Sequence, residues 1–266
     1  MKIGFIGTGN MGGALARAAA KGGHTLLLAN RTPAKAAVLA KELGGTVCPN
    51  AQAAEAAELL FLGVKPQGLP GLAQELAPVL QARRGNAPVV VSMATAVTLR
   101  ELDAMLGGGL PLIRIMPNTP AAVGAGTILY AAQNVTDAQL DAFRAVLAQA
   151  GLLLPLPEAQ IDAASAISGC GPAFCFQFAD ALALGGVRAG LSYPDACRLA
   201  AQTMLGAAEM LLQGGEAPDV LKMRVCSPAG TTIEGVLALE QGGFSYTVQN
   251  AVTAAYRRTV EMTGKG

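Results

Sequence analysis

Few side chains in this chain of 266 residues can do acid–base or nucleophilic chemistry. His24 is the only histidine and sits in a turn after Gly22-Gly23, so a histidine proton relay is excluded anywhere else. The five cysteines, Cys48, Cys170, Cys175, Cys197 and Cys226, are odd in number and scattered. They fit neither a disulfide framework nor a zinc site, and no metal is expected. What remains is a set of anion-binding signatures: Gly7-Thr8-Gly9-Asn10-Met11-Gly12, Asn30-Arg31-Thr32-Pro33, Lys65-Pro66, and Ser227-Pro228-Ala229-Gly230-Thr231-Thr232-Ile233-Glu234. Such residues hold phosphates and carboxylates; they do not shuttle protons.

The first signature has the context that gives it meaning. Lys2–Ile6 reads as a short buried strand, and Ala14–Ala20 as a helix of good formers. Strand, G-x-G-x-x-G, helix is the dinucleotide fingerprint. Gly7 allows the tight turn, Gly9 lets a pyrophosphate approach the backbone, and Gly12 lets the helix pack close. The free N–H groups at the helix start then face the phosphates. Next, Thr25–Ala29 reads as the second strand. Where an NAD-binding fold puts Asp or Glu to bond the ribose, this chain has Arg31. A guanidinium pairs bidentately with a phosphate, and Thr32 adds a hydroxyl and an N-cap before Pro33. The expected cofactor is therefore NADP(H).

These signatures need a scaffold, and the apolar runs supply one. Leu59–Val64, Pro88–Ser92 and Leu112–Met116 read as strands of a parallel sheet. Thr46-Val47 is a short strand, and Thr127–Tyr130 and Leu152–Leu154 complete the set. Helices are expected over Ala34–Leu43, from Lys65-Pro66 through Val79, and over Asp137–Ala150. Ligands bind at the carboxyl ends of such strands. Gly9, Arg31, Lys65, Ala94 and Asn118 all fall at strand ends, so they should line one crevice. Pro155-Leu156-Pro157 reads as the domain boundary, and from Glu158 onward the chain is nearly all helix: Glu158–Ile167, a stretch from Pro172 through Phe174, Phe178 and Leu182, then Pro194–Leu212, Ala217–Val225 and Tyr246–Met262. The Phe174/Phe178/Leu182 stripe is core or subunit interface. In the last signature, Ser227-Pro228 has an N-cap pattern and Thr231-x-x-Glu234 a capping-box pattern. Either register leaves N–H groups and hydroxyls at a helix start, which suits a carboxylate.

Composition sets the outer limits. The formal net charge is +1, which gives no footprint for nucleic acid. Hydrophobic residues make up 52%, yet no run of about 18 uncharged apolar residues is present to span a membrane. Met1-Lys2 runs straight into the first strand, so no signal peptide is expected, and the location read is the reducing cytoplasm.

One absence narrows the chemistry. The β-hydroxyacid dehydrogenases share this two-part layout but carry a catalytic lysine after the glycine turn of the second domain. After Gly171 this chain has Pro172-Ala173-Phe174-Cys175-Phe176-Gln177, and no lysine until Lys222. Alcohol or ketone chemistry lacks its usual acid or base. Hydride addition to an already protonated imine fits better.

The residues resemble the Δ1-pyrroline-5-carboxylate reductase family along the whole chain. The carrying segments are Gly4–Met11, Val64-Lys65-Pro66, Met116-Pro117-Asn118-Thr119-Pro120, Ser168-Gly169-Cys170-Gly171-Pro172-Ala173-Phe174 and Ser227–Glu234. The resemblance implies an α/β fold: a Rossmann-type dinucleotide-binding domain over 1–157, then an all-α dimerisation and substrate domain over 158–266. It implies reduction of pyrroline-5-carboxylate to L-proline with NAD(P)H, the last step of proline biosynthesis. It also implies a homodimer, assembled further into decamers in the family, with sites at the dimer interface. By position, the resemblance assigns Gly7, Thr8, Gly9, Asn10 and Met11 to the pyrophosphate, and Asn30, Arg31 and Thr32 to the 2′-phosphate. Asn50 falls on the adenosine side. Val64, Lys65, Pro66, Met93, Ala94, Thr95 and Asn118 run along the nicotinamide half. Glu158, Ser227, Gly230, Thr231 and Thr232 hold the substrate, with the Thr232 hydroxyl near the ring nitrogen as the catalytic candidate. The chain departs from the family pattern at Cys170, at Ala94-Thr95-Ala96, at Arg224 and at Ala229, the last a frequent glycine.

Overall fold

The computed structural model describes residues 1–262. By their own contacts these residues form two compact units, Met1–Cys170 with the end of the chain from Tyr256, and Gly171–Ala255.

The first unit is built on an eight-stranded sheet of order β3-β2-β1-β4-β5-β6-β7-β8. The strands are β1 (Lys2–Ile6), β2 (Thr25–Ala29), β3 (Thr46–Val47), β4 (Leu59–Leu62), β5 (Val89–Ser92), β6 (Leu112–Pro117), β7 (Gly126–Gln133) and β8 (Gly151–Pro155). All neighbours run parallel except β6 and β7, which pair antiparallel from Leu112↔Gln133 to Pro117↔Ile128. Between them come α1 (Asn10–Ala20), α2 (Pro33–Leu43), α3 (Asn50–Ala56), α4 (Leu69–Ala82), α5 (Leu99–Met105) and α6 (Asp137–Leu147), with α7 (Glu158–Ser168) after β8.

Strand alternation sorts the core into two layers. Ile3, Phe5, Leu59, Phe61, Val89 and Val91 face Leu15 of α1, Leu39 of α2 and Phe143 of α6. Ile6, Leu60, Leu62 and Val90 face Leu72 and Leu76 of α4, Leu99 and Leu102 of α5, and Ile161 of α7. The Phe5 and Phe61 rings stack at 4.6 Å between centroids. Burial of each such ring contributes roughly 1.5–3 kcal/mol, so the two central strands are fixed by packing on both faces.

Several boundaries differ from the sequence reading for physical reasons. α1 begins at Asn10, a turn earlier than expected, because the second half of the glycine motif is itself the first helical turn. After Lys65 a 3-10 turn, Pro66–Gly68, precedes α4, and α4 runs past Pro78 to Ala82. α5 has no counterpart in the sequence reading. Its start is a capping box, in which Thr98 Oγ1 accepts from the Glu101 N–H and the Glu101 carboxylate accepts from the Thr98 N–H. The first unit also extends to Cys170, beyond the expected boundary at Pro157. α7 is tied to the sheet at both ends by side chains of β6, which carries Arg114 and precedes Asn118.

The second unit contains α8 (Gly171–Arg188), α9 (Tyr193–Gly214), α10 (Pro218–Arg224), α11 (Thr231–Gln241) and the start of α12 (Phe244–Met262). Gly185-Gly186 does not break α8. A Cβ on Gly186 would lie 3.1 Å from that of Ala196, so the glycine lets α8 and α9 close together. Phe178 and Phe244 meet at 5.7 Å between centroids. Ala183, Ala196 and Ala200 are buried, whereas Phe176, Leu199, Leu205, Leu212 and Tyr246 are more than half exposed. Faces this apolar are association surfaces. The stretch Glu158–Arg188 is also long and apolar enough to cross a membrane by length and composition alone.

Candidate functional site

The glycine turn is locked by backbone proximity. Gly7 has φ +96°, and a Cβ there would fall 2.4 Å from the Gly63 carbonyl oxygen. A Cβ on Gly63 would meet the Gly7 oxygen at the same distance, and one on Gly12 would lie 2.1 Å from it. Gly9 is different, since nothing lies within 4 Å of its missing Cβ. The ends of β1 and β4 and the first turn of α1 are therefore in backbone contact, while the surface at Gly9 stays open. α1 starts at an N-cap glycine with no side-chain cap, which leaves its first N–H groups for an anion.

Next to this turn, the Thr8 N–H donates to Asn30 Oδ1 at 3.2 Å, and Asn30 Nδ2 donates to the Thr32 carbonyl at 3.0 Å. Asn30 thus splints the glycine turn to the end of β2, and Arg31 and Thr32 project exposed beside it. Thr8 Oγ1 is buried and has no hydrogen-bond partner. Such an atom is costly unless a ligand or water meets it. The orphaned hydroxyl, the open Gly9 and the uncapped helix start together fit a bound pyrophosphate.

A cleft of about 400 Å³ opens at this edge of the sheet. Gly9, Asn10, Met11, Val64, Lys65, Pro66, Met93 and Thr95 line it, as the sequence reading expects, together with Gly12, Gly63, Met116 and Pro117, which that reading did not assign. The signal for the last two was their place at the carboxyl end of β6. Arg31 and Ala94 are not among the lining residues. The Ala94 methyl belongs to the core, and its N–H donates to Ser92 Oγ at 3.3 Å. Asn118 is buried, and its carboxamide is engaged within the protein. Its Oδ1 accepts from the Thr127 N–H and its Nδ2 donates to the Ser168 carbonyl, both at 2.8 Å. Asn50 Nδ2 donates to Glu75 Oε2 at 3.0 Å. Ala96, just past the cleft wall, holds a left-handed backbone at φ +63°.

Glu158 lies at the start of α7. Its Oε1 accepts from the Leu99 N–H at 2.6 Å and from Arg114 Nη1 at 3.4 Å. Arg114 is 2% exposed, and its Nη2 donates to Asp162 Oδ1 at 2.5 Å. Sequence reasoning missed Arg114, although a charged residue inside an otherwise apolar strand is itself a signal.

In the second unit the start of α11 differs from both expected capping registers. Gly230 is the N-cap, and neither Ser227 nor Thr231 supplies a side-chain cap. The Gly230 N–H closes a turn onto the Ser227 carbonyl at 3.0 Å, and Ala229 is left-handed at φ +55°. A Cβ on Gly230 would sit 2.3 Å from Ser227 Oγ. Ser227, Thr231 and Thr232 are exposed, so hydroxyls and uncapped N–H groups share one helix start. Arg224 is turned away onto Glu216, with bonds of 2.5 and 2.6 Å.

A doubly wound sheet with an open glycine turn at its switch point is a Rossmann-type domain, and with the helical unit that follows it marks a nicotinamide-dependent oxidoreductase. Residues 2–96 match the family model for NADP oxidoreductase, coenzyme F420-dependent, and residues 158–262 match that for pyrroline-5-carboxylate reductase dimerisation. Pyrroline-5-carboxylate reductase 3 of Danio rerio is 37% identical, covering 100% of this chain and 92% of the relative. The solved pyrroline-5-carboxylate reductase of Coxiella burnetii is 31% identical over 98% of each chain, with a TM-score of 0.90. The Plasmodium falciparum pyrroline carboxylate reductase, solved with NADP bound, is 30% identical over 99% of each chain, with a TM-score of 0.86. The chain belongs to the pyrroline-5-carboxylate reductase family.

Proposed function

We infer that this chain reduces Δ1-pyrroline-5-carboxylate to L-proline, with NADPH as the preferred cofactor. The observation that carries this reading is the uncapped start of α11, where N–H groups and the Ser227, Thr231 and Thr232 hydroxyls can hold a ring carboxylate. NADPH, when bound, supplies the hydride. Thr8, Gly9 and the start of α1 hold its pyrophosphate. Arg31 and Thr32 hold the 2′-phosphate, with Asn30 keeping them beside the glycine turn, and Asn50 lies on the adenosine side. Val64, Lys65, Pro66, Met93 and Thr95 wall the nicotinamide half. No histidine and no lysine between Lys65 and Lys222 is available as an acid, and a protonated imine needs none. NADPH oxidation on adding pyrroline-5-carboxylate, with proline identified as product, tests the reading. Preferred turnover of another cyclic imine or a keto acid would overturn the substrate assignment.

The same reading makes the chain an obligate homodimer through its helical unit, supported by the dimerisation-domain match and the exposed apolar faces. Its location is the cytoplasm, supported by five free cysteines.

Cofactor choice follows from Arg31. A hydrogen bond to a charged group contributes about 1.5–3 kcal/mol, so Arg31→Ala is expected to raise the NADPH KM roughly tenfold or more. The NADH KM should hardly move. Steady-state kinetics with both cofactors decide this, and equal losses would refute it.

Thr232 positions the ring nitrogen and is not an obligatory proton donor. Thr232→Ala should remove about 1–3 kcal/mol of transition-state stabilisation, the scale of one polar partner. The loss should appear in kcat/KM for the imine, with NADPH binding intact. The rate falls at high pH as the substrate's iminium loses its proton, and the variant should keep the wild-type profile. Abolished turnover, or a displaced profile, would make Thr232 an acid instead.

A further inference from the structure

We propose that Arg114 and Glu158 act together as positioning residues for the nicotinamide side of the cofactor cleft; this rests on the cofactor reading above. The loop that follows β5, residues 93–98, contributes Met93 and Thr95 to the cleft wall. Its near end is fixed by the sheet, where the Met93 N–H donates to the Leu62 carbonyl at 3.3 Å. Its far end runs into α5, whose first residue, Leu99, donates its N–H to Glu158 Oε1 at 2.6 Å. That bond ties the loop's far end to α7, at a sequence separation of 59 residues. The Thr98–Glu101 capping box is local and cannot place the loop on the sheet.

Glu158 can hold this place only if it is itself held. Arg114 does so from β6, the strand whose end supplies Met116 and Pro117 to the opposite part of the same cleft. The guanidinium touches Glu158 with Nη1 and Asp162 with Nη2, while its Nε has no partner. The two carboxylates are therefore its anchors among the described residues. Glu158 and Asp162 lie a helical turn apart on α7, so one buried cation fixes both the position and the rotation of that helix start. Thr95 Oγ1 contacts Met116 Sδ at 4.0 Å, closing the circuit between the loop and β6. Glu158 thus serves the wall of the cofactor cleft through a backbone N–H.

Direct binding separates this role from a merely structural one. NADPH affinity is read by fluorescence titration, and affinity for the 2′-phosphorylated adenosine half of the cofactor is read alongside it. Glu158→Ala is expected to weaken NADPH roughly tenfold or more by loss of a charge-assisted bond, and to leave the adenosine half unchanged. Glu158→Gln keeps an acceptor for the Leu99 N–H and should recover most of the loss. If Glu158→Ala does not fold, Glu158→Asp carries the same test, because it keeps the charge but falls short of Leu99. Equal weakening of both ligands, or none, overturns the proposal. So does a loss confined to the KM of the imine, which would place Glu158 at the substrate. A wild-type chain that binds neither ligand overturns the cofactor reading and this proposal with it.

Discussion

A single methyl group on Gly12 is expected to cost this protein both its cofactor and much of its stability. The new Cβ would fall 2.1 Å from the Gly7 carbonyl oxygen. That oxygen is backbone, and Gly7 is itself pressed against Gly63, so neither side can rotate away. Overpacking of a tight core contact costs about 1–3 kcal/mol and occasionally more, and here the upper end applies because α1 must lift from the sheet. For a chain of this size each kcal/mol lowers Tm by roughly 2–4 °C. Gly9→Ala is the contrasting variant, since its Cβ meets nothing within 4 Å. It should melt with the wild type and still bind NADPH poorly, because the methyl occupies the space a pyrophosphate needs. Thermal melts and NADPH titration of the two variants give the answer. A Gly12→Ala protein with wild-type Tm would show that the close packing is not required.

The second large effect comes from the buried cation. Replacing both Glu158 and Asp162 with alanine strands a guanidinium that is 2% exposed. An uncompensated buried charge costs about 3–5 kcal/mol, and Arg114 cannot shed its proton to escape. Arg114→Met should be milder, although it breaks the same contacts. The carboxylate side chains are 28% and 24% exposed, so water can take over much of what the guanidinium supplied. Urea midpoints measure both. If Arg114→Met proves more damaging than the double replacement, the asymmetry argued from exposure is wrong.

How far the sequence shows these features depends on how local each one is. The β1–turn–α1 unit is spelled out in consecutive residues, so its glycines and strand were legible at once. The core strands were legible from unbroken apolar runs. The α5 helix was missed, although Thr98-x-x-Glu101 carries the same kind of cap signal that was noticed at Thr231-x-x-Glu234. The helix has only seven residues, too few to show an amphipathic period. At the second place the signal misled. The Ser227 carbonyl takes the Gly230 N–H and the left-handed Ala229 turns the chain, so the helix starts at Thr231 with no side-chain cap. The partners of Arg114 lie 44 and 48 residues away, and no local pattern records such a pairing. The same pairing carries α7 with the sheet past the Pro155–Pro157 signal. Asn118 was rightly marked as notable, but its partners at Thr127 and Ser168 show a clamp where a cofactor contact was expected.

Ala96 and Ala229 bear on how this protein's loops behave and evolve. Both adopt the left-handed backbone, one beside the cofactor cleft and one before α11, and Ala229 stands where the family often has glycine. For an alanine that conformation costs roughly 1–2 kcal/mol. A glycine in its place would give back about 0.4–1 kcal/mol through the greater freedom of its unfolded chain. The terms nearly cancel, so selection on stability alone is almost blind to the choice. What differs is range: glycine samples the mirror-image half of the backbone map, and alanine hardly does. Alanine and glycine codons differ only in their middle base, so each loop lies one mutation away from a looser ensemble of similar stability. The two loops can therefore drift between stiff and supple forms with little change in fold stability, which leaves catalytic turnover as the property that decides between them.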